Sequence, residues 1–93
     1  MSTQEKREEM TLEELAPGES GVILQVGNEN GPVKRRLVDM GLTPGTEVTV
    51  RKLAPFGDPL ELNLRGYELS LRKADAAQIR MAVGAEAERR SRV

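Results

Sequence analysis

The sequence predicts a mainly β fold: a small closed or nearly closed barrel of about five short strands, with one inserted α-helix and short helical turns. Three observations predict it. From residue 46 onward the apolar residues recur at every second position, the period of a strand with one buried face. Only residues 32–40 show a helical period framed by start and stop residues. Five short strands in about 60 residues are too few to fill a two-layer sandwich, whereas a barrel hides their edges.

The elements follow in order. Residues 1–9 are polar and are expected to be disordered. Thr11 suits the N-cap of a helical turn, with Glu14 three residues later as in a capping box. Leu12 and Leu15 then share one side and can plug a barrel end, and Pro17-Gly18 stops the turn. Residues 21–26 read as a buried strand and 27–31 as a loop. Pro32 fits the first position of the helix, and Gly41 fits the left-handed residue after its end. A step of 100° per residue places Val33, Leu37 and Met40 on one face. Pro44-Gly45 is a turn pair. Val48 and Val50 alternate with Glu47 and Thr49, so residues 46–53 form a strand, and the shift of phase at Leu53 predicts a bulge near Arg51-Lys52. Residues 54–59 are a loop. Leu60, Leu62 and Leu64, then Tyr67, Leu69 and Leu71, flank Arg65-Gly66, a hairpin with a two-residue turn. Residues 73–77 form a short helical turn. Ile79, Met81 and Val83 mark the last strand, and residues 84–93 are expected to be a flexible tail.

Composition removes several functions. With 93 residues the chain is one domain with a modest core. It has no cysteine, which excludes disulfides and thiolate sites, and no histidine, the commonest metal ligand and general base. Its apolar runs, such as Val22-Ile23-Leu24, are far shorter than the ~20 residues that cross a bilayer. The N-terminus lacks the apolar stretch of a secretory signal, so the cytoplasm is the expected compartment. Residues 1–20 carry a net charge of −4, residues 21–83 carry +2 and residues 84–93 carry +1, so the body is nearly neutral. A nucleic-acid binder needs a basic groove and stacking aromatics. This chain has two aromatics, Phe56 and Tyr67. A Pro-rich-peptide groove would also need more. No P-loop or G-x-G-x-x-G spacing is present, and no pair of carboxylates marks a catalytic pocket. Asp39, Asp58 and Asp75 lie in separate segments, so no metal site and no cofactor are expected.

Four stretches together carry a resemblance. They are Leu12-x-x-Leu15-x-Pro17-Gly18; Arg36-Leu37-Val38-Asp39-Met40-Gly41-Leu42-Thr43-Pro44-Gly45-Thr46; Ala54-Pro55-Phe56-Gly57-Asp58-Pro59; and Leu69-Ser70-Leu71-Arg72-Lys73-x-Asp75-Ala76-x-x-Ile79. Over residues 10–83 the chain resembles the ferrous iron transport protein A (FeoA) family. That resemblance implies an SH3-like β-barrel. It implies a non-enzymatic accessory protein beside the bacterial ferrous iron permease, whose cytoplasmic part contains a GTP-binding domain. It further implies a peripheral place at the inner membrane through that permease, without direct membrane insertion and without nucleic acid. An SH3-like regulatory or nucleic-acid-binding module unrelated to transport is the rival reading. Self-association through an open edge strand is a further expectation.

Candidate partner contacts are Arg35, Arg36, Leu42, Leu53, Pro55, Phe56 and Asp58. Lys34-Arg35-Arg36 reads either as a docking site for an acidic surface or as a solvated helix face with Arg35 and Asp39 paired. Phe56 stands among turn residues, where an aromatic is exposed and can anchor an interface. Asp58 either joins that contact or caps a turn. Leu42, Leu53 and Phe56 read as an apolar docking patch, or Leu42 closes the helix onto the barrel. Tyr67 reads as core or barrel rim.

Overall fold

The computed structural model describes residues 9–27 and 31–84. Residues 1–8 and 85–93, where an extension and a tail are expected, lie outside the described residues, as does the middle of the 27–31 loop. The chain runs β1 (Glu9–Thr11), a 3₁₀ turn (Leu12–Glu14), β2 (Ser20–Val26) and α1 (Pro32–Asp39). It continues through β3 (Glu47–Leu53), a second short turn (Pro55–Gly57), β4 (Leu60–Leu64), β5 (Tyr67–Leu71), α2 (Lys73–Ala76) and β6 (Ile79–Ala82). The strands form one antiparallel sheet in the order β1-β6-β2-β3-β4-β5, wrapped around a single core. No helix among the described residues is long and apolar enough to cross a membrane.

Among the described residues there are six strands rather than about five. β1 begins at Glu9, inside the stretch expected to be disordered, and pairs Met10 with Met81 on the outer side of β6. Three residues are too few for an alternating pattern, so pairing alone creates this strand. The other five strands stand where the sequence places them, β2 as a buried apolar run and β3 to β6 by the period-two pattern. β3 carries its bulge between Val50 and Lys52, at the expected position. A second register shift, between Ile23 and Gln25 in β2, has no sequence signal. The β4–β5 hairpin turns through Arg65 (φ 53°) and Gly66 (φ 86°). Positive φ at both central residues is the type I′ turn, whose twist matches the flanking strands.

The core is aliphatic. Leu60, Leu62 and Leu64 on β4 face inward beside Val48 and Val50 on β3. Leu12 and Leu15 are buried in the core, and Glu14 Oε1 accepts from Thr11 N–H at 2.9 Å, the glutamate half of the expected capping box. β2 and β6 approach closely at Gly21, where a Cβ would stand 2.8 Å from the Ala82 carbonyl oxygen.

α1 buries the C-terminal part of the expected stripe. Leu37 is fully buried and Met40 partly so, but Val33 is 40% exposed. The helix leans on the barrel only near its C-terminal end, so its first turn stays in solvent. Leu42 N–H donates to Leu37 O at 3.1 Å, and Gly41 N–H donates to Val38 O at 2.9 Å, with Gly41 at φ 96°. This is a Schellman motif. It folds the chain back so that Leu42 enters the core with Leu37.

Candidate partner-contact site

The end of the barrel between β3 and β4 holds the most unusual surface of the described residues. Ala54 N–H donates to Pro59 O at 3.1 Å, closing the loop at its base. Gly57 N–H donates to Ala54 O at 2.7 Å, closing a four-residue turn within it. Pro55 takes the second position of that turn and Phe56, at φ 73° and ψ 9°, the third. Those angles belong to a type II turn, whose third position favours glycine or asparagine. Phe56 is as exposed as in an extended peptide, at 102%. Asp58 Oδ1 accepts from Lys73 N–H at 3.0 Å, which ties the loop to the first residue of α2. Arg72, immediately before α2, provides no capping side chain, and Asp58 supplies the missing acceptor from 15 residues upstream.

The sequence-derived contacts therefore divide. Phe56 and Pro55 are exposed on the loop, and Leu53 at its base is 39% exposed opposite the buried Leu60. Asp58 is exposed, and its carboxylate accepts from the first N–H of α2 rather than capping a turn of its own loop. Leu42 is fully buried, so the patch expected of Leu42, Leu53 and Phe56 does not exist as drawn; the Schellman turn directs Leu42 inward. Arg36 donates to Asp75 at 2.8 Å and ties α1 to α2 while staying half exposed. Arg35 is exposed. The expected pair between Arg35 and Asp39 is not formed among the described residues; the ion pairs there are Arg36–Asp75, Arg51–Glu68 and Arg80–Glu9.

Two features escaped the sequence reading. Tyr67 Oη donates to Met40 O at 3.0 Å, reaching from the hairpin to the end of α1. Arg65 Nη2 donates to Thr46 Oγ1 at 3.0 Å, and Thr46 Oγ1 lies 3.0 Å from Thr43 Oγ1. Thr46 is the buried polar side chain of the described residues, and this network satisfies it. Neither link has a local signal, because the partners are 27 and 19 residues apart.

A shallow depression of about 330 Å³ on the outer sheet face is lined by Glu47, Thr49, Asn63, Leu64 and Arg65. It gathers one carboxylate and no second group to act with it as acid or base. Among the described residues no three carboxylates converge as a metal would need.

The family profile described as FeoA domain matches residues 10–83. A curated protein of Porphyromonas gingivalis, the Fe(2+) transport protein A/Fe(2+) transporter FeoB fusion protein, is 39% identical over 70 residues. The match covers 75% of this chain and 8% of that protein, so this chain spans a small part of the relative's length. The NMR structure of a FeoA-like protein from Clostridium acetobutylicum superposes with a TM-score of 0.75 at 38% identity, covering 82% of this chain and 87% of that one. The crystal structure of Stenotrophomonas maltophilia FeoA complexed with zinc, described as a prokaryotic SH3 domain protein, superposes with a TM-score of 0.68 at 31% identity. That likeness covers 84% of this chain and 93% of the other.

Proposed function

This chain belongs to the FeoA domain family, and we propose that it is a non-enzymatic accessory subunit of bacterial ferrous iron uptake that docks on the cytosolic part of the Fe(2+) transporter. One observation carries the proposal. In the Porphyromonas gingivalis relative, the region like this chain is joined to an Fe(2+) transporter in a single polypeptide. A covalent tether raises the effective concentration of one unit at the other without any contact energy. A separate chain doing the same work must supply that energy through its own surface. The surface it offers is the loop of Pro55, Phe56 and Leu53, held by Asp58, with Arg35 and the half-exposed Arg36 on α1. In support, the Stenotrophomonas maltophilia protein is itself described as a candidate ferrous iron transport activating factor. This reading places the chain in the cytoplasm, peripheral to the inner membrane through its partner.

Docking alone stabilises the complex. A regulator must in addition bind one nucleotide state of the partner better than the other, because a ligand shifts an equilibrium only by its differential affinity. Titration calorimetry of the full chain against the intact transporter of the same organism, with GDP and then with a GTP analogue, tests both. Binding that differs between nucleotides makes the chain a regulator, and equal binding makes it a stabilising subunit. No heat and no complex in either state rejects the docking proposal.

A further inference from the structure

We propose that Phe56 is a knob that enters an apolar pocket on the docking partner, presented by a turn whose backbone strain folding alone does not need. The proposal rests on the docking reading above.

Phe56 has two features that work against stability. Its ring packs on nothing, since the residue is fully exposed. Its backbone sits at φ 73°, a left-handed conformation that is a genuine outlier for a bulky residue. Strain of this kind persists where the surroundings enforce it, and it clusters at contact and active sites. Here the enforcing groups are visible. The Gly57 N–H bond to Ala54 closes the turn, the Ala54 N–H bond to Pro59 closes the loop, and Asp58 anchors it to α2. The ring therefore projects from a fixed base, and little backbone freedom remains to be lost on binding. A buried aromatic removes about 150–250 Å² from water, which makes it an effective anchor for a small surface.

The charges around the loop decide between two receptors. Lys52, Arg72 and Lys73 flank it, but so do Asp58 and Glu61, and the whole chain carries −1. An anionic bilayer rewards clustered cations. A mixed rim gains little there. A protein pocket needs only shape and apolar lining, and the exposed Pro55 and Leu53 add an apolar collar to the ring.

The test compares the wild-type chain with Phe56→Gly and Phe56→Leu. Each is measured for thermal unfolding and for binding to the intact transporter in nanodiscs, with empty nanodiscs of the same lipid as control. Phe56→Gly is expected to raise the unfolding midpoint and to weaken binding at least tenfold, while Phe56→Leu retains most of the affinity. Wild-type binding that Phe56→Gly leaves unchanged overturns the knob but not the docking. A lowered midpoint for Phe56→Gly overturns the strained, unpacked ring. Binding of empty discs that depends on Phe56 overturns the protein pocket in favour of lipid. No binding by the wild type removes both the knob and the docking proposal beneath it.

Discussion

Tyr67 Oη lies 3.0 Å from the Met40 carbonyl oxygen and is also the nearest atom to where a side chain on Gly41 would grow, at 2.5 Å. The last carbonyls of a helix have no partner within it. Tyr67 supplies one from β5 and occupies the space that the missing Cβ leaves.

These two residues should therefore couple. Tyr67→Phe loses one half-exposed hydrogen bond, at a cost of about 0.5–1 kcal/mol. Gly41→Ala meets a left-handed φ of 96° and the tyrosine hydroxyl together, and is expected to cost about 2–3 kcal/mol. Without the hydroxyl the nearest atoms are Leu64 Cδ1 at 3.8 Å and the ring carbon at 3.9 Å, which are ordinary contacts. In the Tyr67→Phe background Gly41→Ala should then cost about 1 kcal/mol less, the backbone strain remaining. Urea unfolding of the four proteins measures the cycle. Strict additivity would mean the hydroxyl does not limit position 41.

A second glycine tests close packing without left-handed backbone. Gly21→Ala forces a Cβ to within 2.8 Å of the Ala82 carbonyl, a backbone atom between two paired strands. Overpacking of this kind costs about 1–3 kcal/mol. Gly45→Ala is the contrast: φ is 92°, but nothing lies within 4 Å of the new atom. It should lose about 1–2 kcal/mol from conformation alone. Amide exchange separates them. Gly21→Ala should speed exchange along β2 and β6, whereas Gly45→Ala should confine its effect to the turn.

The two leucines grouped as one patch should part company. Leu42→Ala empties a fully buried site and is expected to lower stability by about 2–5 kcal/mol. Leu53→Ala, at a 39% exposed position, should cost under about 1 kcal/mol, with its larger effect on partner binding. Chemical unfolding of both variants ranks them. Equal costs would contradict the burial of Leu42.

That separation also shows what the sequence carries. Strands β3, β4, β5 and β6 were legible because one face of each is buried and the alternation is local. The Gly41-Leu42 step was legible as a helix stop, with Leu42 left open between a docking patch and closing the helix onto the barrel. Whether the following leucine turns inward depends on the Leu42-to-Leu37 hydrogen bond, which completes the motif in three dimensions. β1 was illegible because Glu9–Thr11 becomes a strand only by pairing with β6. At the candidate site, the exposure of Phe56 followed from its turn-forming neighbours. The roles of Asp58 and Arg36 did not, since Lys73 and Asp75, which hold them, come from α2.

Asp58 gives the last prediction, because its structural and contact roles predict different mutants. If the carboxylate matters as the acceptor for Lys73 N–H, Asp58→Asn keeps an oxygen in place and should be nearly neutral for stability. Asp58→Ala removes the acceptor and should cost about 0.5–2 kcal/mol, the range of a lost helix cap. It also frees the loop that presents Phe56, so partner affinity should fall in Asp58→Ala even though position 58 need not touch the partner. If instead the negative charge itself contacts the partner, Asp58→Asn should weaken binding as much as Asp58→Ala while leaving stability intact. Unfolding and binding measured on both variants distinguish the cases, and the bond to Lys73 favours the first.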